Sequence, residues 1–174
     1  MKETLQVINQ MQADGVIGKY AIGGAVGATF YLEPAATIDL DVFVTLPRAI
    51  SSALISLSPI YDYLKARGGV EEAEYILIGD WPVQFLSPSE GLEAEAVDEA
   101  VLAEVEGVKV RVMSAEHLAA IALRTGRPKD QIRLIQFVQQ GALDSHKWNQ
   151  ILLRHGLAQR WQEFEHKFLE GTNG

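Results

Sequence analysis

Asp39 and Asp41 stand two residues apart in the stretch Thr37-Ile38-Asp39-Leu40-Asp41-Val42-Phe43-Val44-Thr45. Side chains alternate across a strand, so a strand here turns both carboxylates to one face and Leu40 and Val42 to the other. Two like charges so close repel each other, and a divalent cation between them relieves the repulsion. Mg²⁺, held through carboxylates and substrate phosphates, suits such a pair. The chemistry implied is phosphoryl or nucleotidyl transfer. Upstream, Gly23-Gly24 follows the short apolar run Tyr20-Ala21-Ile22. A glycine pair commonly makes a tight turn. It also lets backbone N–H groups come close to a phosphate.

These residues need elements to position them. Leu5, Val7, Ile8 and Met11 are spaced for an amphipathic helix over 3–13, ended by Asp14-Gly15. Tyr20–Ile22 reads as a strand, 25–31 as a short helix, and Thr37–Thr45 as a central strand buried on both faces. Pro47 can open a helix that runs to about Arg67, with a break at Ser58-Pro59, and ends at Gly68-Gly69. Glu74–Ile78 and Pro82–Leu86 form a hairpin around Gly79-Asp80. A helix over 93–100 precedes 102–106 and 108–113, which flank Gly107 as a second hairpin or one bent strand. Four helices complete the chain. Ser114 caps the first, through Arg124, and Pro128 opens the second, through about Gln139. Ser145 caps the third, to His155, and the fourth spans about 158–169, before a frayed tail at Gly174.

The chain has 174 residues, no cysteine and a net charge of −8. Disulfides and thiolate metal sites are excluded, and broad nonspecific nucleic-acid binding is disfavoured by the acidic balance. The charge is uneven. Seven acids and no base lie between Glu90 and Glu106, which reads as a solvated helix face. Arg124, Arg127, Lys129 and Arg133 face only Asp130 in their stretch. Arg124, Arg127 and Lys129 can meet a triphosphate or a polyanionic acceptor, or can merely form a helix–loop–helix corner; Arg133 shares a face with Lys129. The four histidines are scattered and read as surface or packing residues, and Trp81, Trp148 and Trp161 as core or edge residues. The N-terminus lacks a signal-peptide core, and no apolar run approaches the ~18 residues of a membrane span. A soluble, cytoplasmic protein without a membrane partner is expected.

The order strand, Gly-Gly, short helix, then a strand bearing Asp-x-Asp resembles the nucleotidyltransferase superfamily of the DNA polymerase β type. Tyr20-Ala21-Ile22-Gly23-Gly24-Ala25 with Thr37-Ile38-Asp39-Leu40-Asp41-Val42-Phe43 looks most like bacterial minimal and AbiEii toxin-like members. Ser114-Ala115-Glu116-His117-Leu118 and Arg124-Thr125-Gly126-Arg127-Pro128-Lys129-Asp130 resemble a downstream segment of the same proteins. The resemblance spans roughly 18–140. It implies an α/β (α+β) fold: a mixed sheet flanked by helices, with C-terminal helices. We divide the chain into a core over 1–113 and a helical part over 114–174, packed as a single compact unit.

The resemblance further implies that Gly23 and Gly24 hold the phosphates of an NTP. Asp39 and Asp41 would bind Mg²⁺ or Mn²⁺, and Arg127 and Lys129 would approach the nucleotide. Active members place a third carboxylate on a later strand. Gln84 stands at that position here, an amide that cannot act as a base. Asp80 is the nearest acid, some ~13 Å away along an even strand register; an acid from the Glu90–Glu106 stretch is another substitute. Ala122 stands where relatives often carry lysine.

The function implied is transfer of a nucleoside monophosphate to a hydroxyl acceptor: an RNA end, a protein or a small molecule. The alternative is a catalytically weakened or inactive relative that acts through a protein partner, as in a toxin–antitoxin pair. A haloacid-dehalogenase-type phosphatase also uses Asp-x-Asp, but Phe43 replaces its usual Thr or Val and no Gly-Gly turn precedes its motif. A nucleotide-sugar glycosyltransferase would need a longer chain.

Overall fold

A computed structural model describes residues 1–34, 37, 39–47 and 56–170. Helix α1 (Lys2–Ala13) leads into strand β1 (Tyr20–Ile22), helix α2 (Gly24–Ala28) and strand β2 (Leu40–Val44). Helix α3 (Ser58–Lys65) is followed by β3 (Val70–Glu72), β4 (Tyr75–Ile78) and β5 (Trp81–Leu86), then by α4 (Leu92–Asp98) and the hairpin β6 (Val101–Val105) and β7 (Val108–Val112). Four helices follow: α5 (Ala115–Thr125), α6 (Pro128–Gln139), α7 (Ser145–Arg154) and α8 (Ala158–Phe168).

The strands form one sheet in the order β3-β4-β5-β2-β1-β7-β6. It is mixed: β2 runs parallel to β5 and β1 parallel to β7, while β1 and β2 are antiparallel. The register sets Asp41 of β2 directly opposite Gln84 of β5.

Alternation along the strands creates two unlike faces. Leu40, Val42 and Val44 are fully buried on one. They join Tyr20, Ile22, Ile76, Val83 and Phe85 in a core with Leu5, Ile8 and Met11 of α1 and Ile60 and Leu64 of α3. Each such aliphatic side chain contributes about 1.5–3 kcal/mol on burial. The opposite face carries Asp41 and Phe43, both only half-buried. Burial of β2 on both faces, expected from its apolar run, is therefore not what forms. One face is dry and the other lines a cleft.

A second core lies on that other side, where Met113, Leu118, Leu123, Leu134, Phe137, Trp148 and Ile151 pack together. Alanines 115, 119, 120 and 122 let α5 approach its neighbours closely, and all four are buried. Among the described residues, no helix is long and apolar enough to cross a membrane.

Several sequence expectations are refined. The 102–106 and 108–113 segments form an antiparallel hairpin, not one bent strand. Strand β3 was not foreseen. Asp144, not Ser145, caps α7: its Oδ1 accepts the N–H of Lys147 at 2.8 Å. Asp and Ser cap about equally well, so composition could not choose between them. The expected helix start after Pro47, Ile38 within the β2 stretch and the tail at Gly174 include residues outside those described.

Candidate functional site

The site lies where β1, α2 and β2 meet. β1 ends at Ile22, and the Gly23 N–H donates to the carbonyl of Asp41 at 3.0 Å, locking the turn onto β2. Gly24 takes φ +58°, a left-handed conformation that favours glycine. A Cβ on Gly24 would fall 1.9 Å from Oδ2 of Asp41. At Gly23 a Cβ would meet the Phe43 ring at 2.7 Å. The two glycines thus differ: Gly23 spends its amide on β2, whereas Gly24 opens α2, whose first N–H groups have no partner inside the helix. Gly24 lines the cleft beside Asp41.

Asp39 and Asp41 line one cavity of about 490 Å³ with Gln84 and Glu74. Thr37 donates through Oγ1 to Oδ1 of Asp39 at 3.1 Å, and the Tyr75 hydroxyl reaches Oδ2 at 3.5 Å. Burial, then the negative charge of Asp39, pushes the Asp41 carboxyl above its ordinary value. Lys129, Arg133 and Arg127 pull it partly back. Tyr75 is pushed up by desolvation, then by the charges of Asp39, Glu74 and Asp41.

The opposite wall is built by the α5–α6 corner. Gly126 closes α5 in the left-handed conformation at φ +68°. Arg127 then stands at the N-cap of α6 and Pro128 fills its first turn. Asp130 is 2 % exposed and acts as the buried anchor. Its Oδ2 accepts Arg127 Nε at 2.6 Å, and Arg133 Nη1 lies 3.7 Å from Oδ1. This one carboxylate holds two cations of the cleft in place. Lys129 and Arg133, four residues apart, share the helical face turned to the cleft. Arg127, Lys129 and Arg133 also line a second lobe of about 450 Å³, together with Gly24, Asp39 and Asp41. The carboxylate pair and the three cations therefore stand between two cavities.

Of the residues singled out in the sequence, Gly24, Asp39, Asp41, Gln84, Arg127 and Lys129 line this cleft. Gly23 supports it from behind. Arg124 is turned away and bonds Glu93. Asp80 is exposed at the β4–β5 turn. Glu74, Tyr75 and Thr37 were missed. They carry no motif, and only the tertiary register of the β3–β4 hairpin brings Glu74 and Tyr75 to the carboxylates.

The donor set fits a divalent cation. Two hard carboxylate groups share a half-buried corner in which Asp39 destabilises the charge on Asp41, and a cation there would relieve it. Glycine at position 24 leaves the space beside Oδ2 of Asp41 open.

The acidic stretch is not simply a solvated face. Oε1 of Glu95 lies 3.1 Å from Nε2 of His117, and Oε2 lies 2.9 Å from Nε2 of His155. Arg154 adds two donors, at 2.9 and 2.6 Å. His117 is 1 % exposed, and its Nδ1 lies 2.8 Å from Oγ of the N-cap Ser114. Ligand atoms of Glu95, Glu99 and His117 lie within 4.8 Å of one another, a spacing that could hold a metal. The Glu95 oxygens, however, are already filled by Arg154 and the two imidazoles. The arrangement is a clasp joining α4, α5 and α7. His117 and His155 are its members rather than surface residues.

No protein-family model matches the sequence, and no curated protein matches it. Solved structures do. The solution structure of the antibiotic-resistance factor ANT(2″)-Ia is 18% identical, with a TM-score of 0.53, over 94% of each chain. A crystal structure of ANT(2″)-Ia in complex with adenylyl-2″-tobramycin is 17% identical, with a TM-score of 0.53, over 90% of this chain and 98% of that one. An antigenic nucleotidyltransferase-like protein from Paracoccidioides brasiliensis is 16% identical, with a TM-score of 0.56, over 95% of this chain and 91% of that one.

Proposed function

Starting from a nucleotidyltransferase fold, we propose that this protein binds a nucleoside triphosphate with Mg²⁺ or Mn²⁺ and transfers a nucleoside monophosphate to a hydroxyl of a small polar molecule. One observation carries the reading. A carboxylate pair faces three cations across a cleft with two lobes, which is room for two substrates meeting at one charged centre. The ANT(2″)-Ia complex holds an adenylylated small molecule, which supports a small acceptor. The net charge of −8 favours a cationic acceptor over RNA or another polyanion.

In this reading Asp39 and Asp41 hold the cation, with Thr37 and Tyr75 fixing the Asp39 carboxylate. The cation, when bound, neutralises charge on the transferring phosphate. Arg127, Lys129 and Arg133 bind and orient the remaining phosphates, and the two arginines present planar forks suited to phosphate oxygens. Asp130 positions both arginines. Gly24 keeps the backbone close without covering Asp41.

Calorimetry tests this. Each NTP is titrated with Mg²⁺ or Mn²⁺ into the wild type and into the Asp39→Ala/Asp41→Ala variant. Metal-dependent binding, weakened at least tenfold in the variant, is expected. A folded wild-type protein that binds no NTP would sink the proposal.

A second reading is favoured by Gln84, an amide set opposite Asp41 in the β2–β5 register. Here the protein retains the nucleotide but transfers nothing and acts through a partner protein, in the manner of a toxin–antitoxin pair. Nucleotide bound with no labelled phosphate passed to any acceptor would select it.

A further inference from the structure

The cleft contains a carboxylate that no motif announces. Glu74 sits in the turn between β3 and β4 and lines the same cavity as Asp39, Asp41 and Gln84. The turn borders the site. Its next residue, Tyr75, reaches Asp39 through its hydroxyl, and its previous residue, Ala73, holds φ +53°. Glu106 takes the same conformation, φ +50°, in the two-residue β6–β7 turn, so the tight hairpin turn itself accounts for it.

Among the described residues, the other acid lining this cavity besides the Asp39–Asp41 pair is engaged. Asp130 is buried under Arg127 and Arg133. Among the described residues, Glu74 makes no hydrogen bond or ion pair. It is exposed to the cleft solvent and has both oxygens available. Gln84, beside Asp41, has no basic group to offer.

We propose that Glu74 supplies the third carboxylate of this site and accepts the acceptor's proton, in place of a group at position 84. The inference rests on the transferase reading above. In the step, the acceptor hydroxyl oxygen bonds to the α-phosphorus of the NTP. The bond from that phosphorus to the bridging oxygen of the β-phosphate breaks, and its electron pair leaves with pyrophosphate. The hydroxyl proton passes to the Glu74 carboxylate. The hairpin thus contributes a catalytic group from the sheet edge, and the amide at position 84 ceases to be evidence of an inert site.

The test uses full-length protein, α-labelled NTP and a panel of aminoglycosides and other polyhydroxylated amines, with NTP affinity measured in parallel by calorimetry. Glu74→Gln is expected to lower kcat a hundredfold or more while NTP affinity stays within threefold of wild type. Glu74→Asp should retain part of the rate. Gln84→Asp in the Glu74→Gln background should restore part of it, by returning a carboxylate beside Asp41. A Glu74→Gln variant with kcat within threefold of wild type overturns the inference and leaves the transferase reading standing. Equal losses of kcat and NTP affinity also overturn it, since they mark a residue that merely shapes the pocket. A wild type that binds NTP but labels no acceptor overturns both the inference and the transferase reading.

Discussion

At Gly24 a single missing methyl group decides whether the carboxylate beside it has room. Two penalties would fall on an alanine there: its φ of +58° and a Cβ 1.9 Å from Oδ2 of Asp41. Gly15 isolates the first, because its φ is +73° and nothing lies within 4 Å of the point an added Cβ would occupy. Gly15→Ala should therefore cost about 1–2 kcal/mol and Gly24→Ala about 1–3 kcal/mol more, measured by urea unfolding. Equal costs would mean that Asp41 simply moves aside. The glycine pair was legible as a pair, but the division of labour within it was not. Which amide bonds the next strand depends on the β1–β2 pairing, and sequence spacing does not contain that. Asp39, Asp41 and Gln84 could be read because a strand's two-residue period fixes their faces. Glu74 and Tyr75 could not, since a turn residue points wherever its hairpin docks.

The helices show the same divide between local and distant partners. The 3.6-residue pattern located α1, α5, α6 and α8 closely, and Ser114, Gly126 and Pro128 mark helix ends by known backbone preferences. The acidic run looked solvated because the partners of Glu95 lie far along the chain, at His117, Arg154 and His155. That clasp has a measurable consequence. The Arg154 hydrogen bonds, helped by the two imidazoles and opposed by burial, hold the Glu95 carboxyl at about 2, against an ordinary 4.5. A depressed carboxyl stabilises the fold fully above its unfolded value and loses that contribution as pH falls through the folded one. Stability should thus fall between about pH 4.5 and pH 2, by on the order of 2–3 kcal/mol from this group. Glu95→Gln should flatten that limb and lower stability at neutral pH, as followed by urea titrations at several pH values. An unchanged acid limb would show that Glu95 is not tightly held.

Across the whole molecule, the sheet side contributes the anionic wall of the cleft and the α5–α6 corner the cationic one, so a bound nucleotide would tie the sheet to that corner. NTP with Mg²⁺ at a hundred times its dissociation constant should stabilise the protein by about 2.7 kcal/mol. For a chain of this size that raises Tm by about 5–10 °C. The Asp39→Ala/Asp41→Ala variant should show no such rise, and a rise of equal size would place the ligand elsewhere. An α/β core followed by helices was readable from the order of elements, and the mixed sheet only from the family resemblance. The sheet's edge strand β3 was not, because Val70–Glu72 is short, exposed and two-thirds acidic.

The two walls also come from distant parts of the chain. Asp41 belongs to β2 and Asp39 immediately precedes it; β2 pairs with β1, the strand before it in the chain, whereas Arg127, Lys129 and Arg133 wait on every element from α3 to α5. Bringing such segments together costs loop-closure entropy that local contacts do not repay. By this cost the charged centre is expected to assemble late as the chain folds. A partly folded chain of that kind would hold its carboxylates without their counter-charges, so the proposed nucleotide affinity would report the completion of folding.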